Sequence, residues 1–132
     1  MPVIGFNHYN LCAPQPLLDE LRKFYVDVLG FELGYRPPFK SSGYWLYAGG
    51  KDILHLTETV PDEARSTTVK STLDHIALTC SDLETCRQLL GHAGVKYTEG
   101  HVPVTDQIQL FFSDPAGNGI ELNFLSKNSC SL

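Results

Sequence analysis

The chain has 132 residues, 42% of them hydrophobic, and a formal net charge of -5. That is one ordinary domain by length, with enough apolar material to hide roughly two-thirds of its unfolded surface. Its ten Lys and Arg are scattered singly and make no basic face, which argues against nucleic acid as a partner, and no apolar run approaches the roughly 18 residues of a membrane span.

The first residues lack the basic-then-apolar pattern of a secretory signal, so a soluble cytoplasmic protein is expected. Cys12, Cys80, Cys86 and Cys130 form no C-x-x-C pair, which excludes a zinc knuckle, and they read as reduced, structurally minor thiols.

Residues 3–11 read as a strand, which Pro14 and Pro16 end before opening a helix. Over 17–29 the apolar residues Leu17, Leu18, Leu21, Phe24, Tyr25, Val28 and Leu29 predict one buried helical face, closed by Gly30. Short strands follow at 31–35, 44–48 and 52–59, the last two joined through Gly49-Gly50-Lys51. Residues 36–43, with two adjacent prolines, read as a loop and candidate lid. The polar stretch 60–72 reads as a linker between module 1 (3–59) and module 2 (73–125).

The second module repeats the order. A strand over 73–80 leads to Ser81-Asp82-Leu83-Glu84, a capping-box sequence with Ser81 as the cap. Leu83, Cys86, Leu89, Leu90 and Ala93 predict the helix stripe, and Gly94 the stop. Strands are expected at 95–99, 107–112 and 119–125, the last two joined by the turn-rich 113–118. The tail, 126–132, is polar.

The repeat is visible residue by residue. Asn7-His8-Tyr9-Asn10-Leu11 has the shape of Asp74-His75-Ile76-Ala77-Leu78, 67 positions later, and Ile53-Leu54-His55-Leu56 that of Gly119-Ile120-Glu121-Leu122, 66 later. Side chains alternate across a strand. Tyr9, Leu11, Leu54, Leu56, Ile76, Leu78, Ile120, Leu122 and Phe124 therefore fall on a face suited to packing against the helices. His8, Asn10, His55, Thr57, His75, Thr79, Glu121 and Asn123 fall on the other. Three histidines and a carboxylate on the helix-free side are the donor types that hold divalent Fe, Mn, Co, Ni or Zn, with positions left open for substrate. His92 and His101 read as structural or solvated.

These features resemble the vicinal oxygen chelate superfamily, which takes in glyoxalases, fosfomycin-resistance proteins, extradiol dioxygenases and bleomycin-binding proteins. The resemblance covers 3–125 and rests on Asn7-His8-Tyr9, Leu73-Asp74-His75-Ile76-Ala77 and residues 114–122. It implies an α+β fold of two tandem βαβββ modules, curled into a cup-shaped mixed sheet with helices outside. It implies one divalent metal on His8, His75 and Glu121, and a homodimer as the usual assembly. His55 stands where glyoxalases carry a ligating glutamate tied to proton transfer, so it is expected as a fourth ligand or as the proton-transfer residue. Asn10, Trp45, Tyr47, Gln109, Phe111 and Arg36 are candidate pocket residues. The activity implied is a metal-dependent lyase or isomerase on a small substrate with neighbouring oxygens, catalysis falling to His55 and Glu121. A non-haem iron dioxygenase and a drug- or metabolite-binding protein are the alternatives.

Overall fold

In the computed structural model, which describes residues 2–66 and 70–125, the chain divides into two compact units between Arg65 and Ser66. Each unit has the order strand, helix, three strands, so the fold is α+β with two βαβββ modules. Among the described residues no helix is long and apolar enough to cross a membrane.

The first unit holds β1 (Tyr9–Ala13), α1 (Gln15–Lys23), β2 (Glu32–Gly34), β3 (Gly43–Ala48) and β4 (Lys51–Glu58), with sheet order β1-β4-β3-β2. β1 runs parallel to β4, and β4–β3 and β3–β2 are antiparallel. Gly49 and Gly50 both take positive φ, which lets two residues close the β3–β4 hairpin with the twist the strands need. α1 packs on β1, β3 and β4. Leu18 and Leu21 from the helix meet a core that includes Leu46, Leu54 and Leu56, all fully buried. Burying side chains of this kind stabilises the unit by roughly 1.5–3 kcal/mol each before entropy is subtracted.

Two expectations for this unit are corrected. The helix expected over 17–29 changes to a π-helical turn at Phe24–Val28. Phe24 and Tyr25 are both buried in this turn. Phe31 meets Tyr25 edge-on, with centroids 5.4 Å apart. The first strand begins at Tyr9 rather than at residue 3, because its ladder starts with the Tyr9–Leu54 pair. Val3, Ile4 and Phe6 are left exposed.

The second unit holds β5 (His75–Cys80), α2 (Leu83–His92), β6 (Thr98–His101), β7 (Ile108–Ser113) and β8 (Gly119–Phe124), in the order β5-β8-β7-β6. β5 is parallel to β8, and the other pairs are antiparallel. Leu90, Leu110, Ile120, Leu122 and Phe124 are buried. Arg87 ties α2 to β6 through Glu99 and also bonds Glu84 within the helix.

The cap of α2 is Asp82, not Ser81: its carboxylate accepts from the Thr85 N–H at 3.2 Å and from the Thr85 hydroxyl at 2.7 Å. The strand expected at 95–99 starts later, at Thr98, because the Val95 N–H is spent on the Leu90 carbonyl as the helix closes. The tail 126–132 lies outside the described residues.

Candidate functional site

In the first unit, strand register builds one cross-strand row. Asn10 pairs with His55, His55 with Trp45, and Trp45 with Gly34. Paired residues project to the same face, so the row sets the His55 and Trp45 rings side by side. They are nearly parallel, with centroids 3.9 Å apart and 8° between planes. The ring of His8, just before β1, stacks on His55 at 3.7 Å and 19°. Two parallel rings at such distances must cover opposite faces, so His55 is clamped between His8 and Trp45. It is only 6% exposed.

The edge of His55 is held as well. Its Nε2 lies 2.7 Å from the Asp52 carboxylate. The hydrogen bond from His55 holds the Asp52 carboxyl below its ordinary range, so Asp52 is ionised at neutral pH. The Nδ1 of His8 lies 2.6 Å from Oδ1 of Asn7, and Asn10 donates to the Thr57 hydroxyl at 2.9 Å.

The row continues onto the 36–43 loop. Phe39 lies 6.0 Å from Trp45, and the Arg36 guanidinium lies over Phe39. Arg36 donates to the Ser41 carbonyl and hydroxyl, at 2.8 and 3.0 Å, so it braces its own loop. Tyr47 donates its hydroxyl to the Tyr35 carbonyl.

In the second unit the matching row is Ala77, Glu121, Phe111 and Thr98. Glu121 thus occupies the repeat position of His55, and Phe111 that of Trp45. Glu121 is 7% exposed. Its Oε1 lies 3.3 Å from Nε2 of His75, and its Oε2 accepts from Asn123 at 3.1 Å. His75 meets Phe111 edge-on. Gln109 pairs with Asn123 on the neighbouring strand. The other ring nitrogen of His75, Nδ1, lies 2.8 Å from the Asp74 carboxylate. That hydrogen bond, with the Glu121 charge behind it, raises the His75 pKa above its ordinary value against the opposing effect of burial.

Two local features place this pair. A Cβ at Gly119 would collide with the Asp74 carbonyl oxygen, so β8 passes β5 at a distance only glycine allows. Just before it, the buried Asp114 accepts from the N–H groups of Ala116 and Asn118, each at 2.9 Å, and fixes the turn that feeds β8.

The spacing of this pair is that of an ion pair and also that of two donors to one ion. Two donors on adjacent positions of an ion with bonds near 2.1 Å lie about 3.0–3.4 Å apart, and the His75–Glu121 spacing is 3.3 Å. A carboxylate on the far nitrogen is the usual way to orient a ligating imidazole, and Asp74 is placed to do so. Among the described residues, however, no group of three or more His, Cys, Asp and Glu is arranged to hold an ion. Cys12, Cys80 and Cys86 are free thiols. Burial pushes Cys80 up to about 11, which keeps it protonated.

Sequence reasoning reached the histidines and Glu121 but missed Asp52 and Asp74 as their partners. An acidic residue beside each histidine, in Asp74-His75 and Asp52-x-x-His55, was the available signal.

Residues 5–122 match the family model described as the Glyoxalase/Bleomycin resistance protein/Dioxygenase superfamily. No curated protein sequence matches the chain. Among solved structures, a Bacillus anthracis protein provisionally assigned to the glyoxalase family is 24% identical, with a TM-score of 0.71, covering 94% of this chain and 97% of that one. A glyoxalase family protein from Enterococcus faecalis is also 24% identical, at a TM-score of 0.65 over 93% and 99%. TnmS3, an antibiotic binding protein from Streptomyces sp. CB03234, is 24% identical at a TM-score of 0.66 over 96% and 99%. At this identity these likenesses establish the fold.

Proposed function

The chain belongs to the Glyoxalase/Bleomycin resistance protein/Dioxygenase superfamily, and on that premise we propose that it is a divalent-metal enzyme, a lyase or isomerase acting on a small substrate with neighbouring oxygens. The observation that carries the reading is the His75–Glu121 pair. Two donors stand 3.3 Å apart, and a carboxylate orients the imidazole. His75, Glu121 and, from the family resemblance, His8 are the ligands in this reading.

A bound ion would act as a Lewis acid toward the substrate oxygens. The rest falls to the chain. Asp74 holds the His75 ring so that Nε2 stays a lone-pair donor. Asn123 engages one oxygen of Glu121 and leaves the other toward His75. In this reading His55, which is stacked between His8 and Trp45 and paired with Asp52, is either the proton-transfer residue or a fourth ligand. A homodimer is part of the same reading, and sedimentation at micromolar concentration tests it: a monomer would contradict it.

The test is metal content and turnover together. Protein purified anaerobically and untagged should carry or take up a divalent ion, and His75→Ala should lose it. Turnover of methylglyoxal–glutathione hemithioacetal would assign glyoxalase chemistry, whereas oxygen uptake with catechols would move the reading to a dioxygenase.

A second reading has its own observation. The row His8, His55, Trp45 and Phe39 is a run of flat rings of the kind that binds planar aromatic molecules, and TnmS3 is an antibiotic binding protein. Micromolar binding of a planar drug by metal-stripped protein, with no turnover of any substrate in the metal-loaded form, would favour a binding protein.

A further inference from the structure

The 36–43 loop of the first unit holds a large ring in place at the surface. Phe39 is 53% exposed. Its N–H donates to the Pro37 carbonyl at 2.8 Å, closing a tight turn on two prolines whose rings fix their φ. Arg36 crosses the base of the loop and donates through both Nη atoms to Ser41. At the far end the Ser42 carbonyl accepts from the Glu58 N–H at 2.9 Å, joining the loop to β4. A Cβ at Gly43 would strike the Leu56 carbonyl oxygen, so glycine is what lets the chain re-enter the sheet this closely.

We infer that Phe39 is the specificity-determining residue for a flat, fused-ring aromatic ligand lying against Trp45, and that Arg36 is the positioning residue that holds it there. The inference rests on the planar-ligand reading above. Three observations carry it. The Arg36 guanidinium lies over the Phe39 ring, 5.0 Å from its centre, so the bonds that fix Arg36 to Ser41 also fix the ring. Among the described residues Nε of Arg36 is buried without a hydrogen-bond partner, so the guanidinium is enclosed by its own loop and acts on Phe39 rather than on a ligand. Phe39 stands 6.0 Å from Trp45 with 41° between the planes, within aromatic contact range but not stacked.

The arrangement names the ligand class. His55 covers one face of Trp45, at 3.9 Å and 8°, and does not cover the other. The tilt between Trp45 and Phe39 makes their rings a wedge. A single ring lies flat against one of the two. A fused system of two or three rings is long enough to meet Trp45 with one end and Phe39 with the other, which adds a second aromatic contact. A saturated or folded molecule of the same volume gains neither. The loop therefore selects for flatness and extent, and it does so without a bound ion.

Trp45 is the one tryptophan of the chain, so its fluorescence reports on this place directly. The test titrates metal-stripped whole protein with acridine, three fused rings, and with pyridine, a single ring of the same kind, folding being checked by circular dichroism. Phe39→Ala should bind acridine roughly three- to tenfold more weakly and pyridine within about twofold of the wild type. Phe39→Tyr, which keeps the ring, should bind both as the wild type does. Arg36→Ala should show the same selective loss, and the double variant should lose no more than Phe39→Ala alone, because Arg36 acts through the ring. Unchanged acridine affinity in Phe39→Ala, or equal loss of both probes, would overturn the role of Phe39. Additive losses in the double variant would overturn that of Arg36. A wild type that binds no acridine would instead sink the planar-ligand reading itself, and the inference with it.

Discussion

Asp74 and His75 are neighbours in sequence whose side chains meet at 2.8 Å, leaving the far ring nitrogen 3.3 Å from Glu121. Partners of this kind typically cost tenfold to a hundredfold in metal affinity when removed. Asp74→Asn should therefore weaken divalent-metal binding by roughly that factor while leaving the fold intact, since Asp74 is exposed. Calorimetric titration with Mn²⁺ or Zn²⁺ checks it; an unchanged affinity would remove Asp74 from the account.

A second prediction concerns pH. The Tyr44 hydroxyl donates to Asp19 at 2.7 Å, tying β3 to α1. This bond lowers the Asp19 pKa and raises that of Tyr44. For Asp19 the depressed folded value means stability that is present above the unfolded pKa and lost as pH falls through the folded one. For Tyr44 the raised folded value means stability present below its ordinary pKa and lost as pH rises through the folded one. Tyr44→Phe should remove the Tyr44 dependence and weaken that of Asp19, which Gln15 and Arg22 also hold down. Its Asp19 should titrate closer to the ordinary carboxylate value by NMR, and the loss of stability below about pH 4 should be shallower than in the wild type.

Gly119 is the third test. Its close approach to the Asp74 carbonyl means that Gly119→Ala must push β8 away from β5 at the point where His75 and Glu121 meet. Overpacking of this kind costs about 1–3 kcal/mol. Chemical denaturation should show that loss, and metal affinity should fall with it. A variant of wild-type stability would contradict the packing argument.

The fourth concerns Cys80. With its pKa pushed up to about 11 by burial, its thiolate is scarce at pH 8. Its reaction with a thiol reagent should run on the order of a hundredfold slower than that of an ordinary exposed cysteine. Comparing labelling kinetics of the wild type and Cys80→Ser, native and denatured, would show it.

Much of the fold was legible because it depends on local pattern. The spacing of Leu17, Leu18, Leu21 and Tyr25 announced the first helix, Gly49-Gly50 the hairpin, and residues 113–118 the turn before β8. Alternation also sorted His55, His75 and Glu121 away from Leu54, Ile76 and Ile120. What remained hidden depends on neighbours distant in sequence. The start of β1 at Tyr9 is set by where β4 can pair with it. The stack of His8, His55 and Trp45 needs three strands in register. The Asp52–His55 bond joins residues three apart on one strand, opposite in parity, so alternation alone would separate them. Asp82 displaced Ser81 as the cap because the helix begins one residue later than the capping-box pattern implied.

The proposed metal chemistry depends chiefly on His75 and Glu121 as ligands to one ion. The most direct measurement is Mn²⁺ or Co²⁺ titration of the wild type, His75→Ala and Glu121→Gln, with folding checked by circular dichroism. The wild type should bind at one site per chain with micromolar or tighter affinity, and each variant should lose roughly a hundredfold or more. Folded His75→Ala and Glu121→Gln proteins that bind the ion as the wild type does, or a wild type that binds none at micromolar concentration, would contradict it.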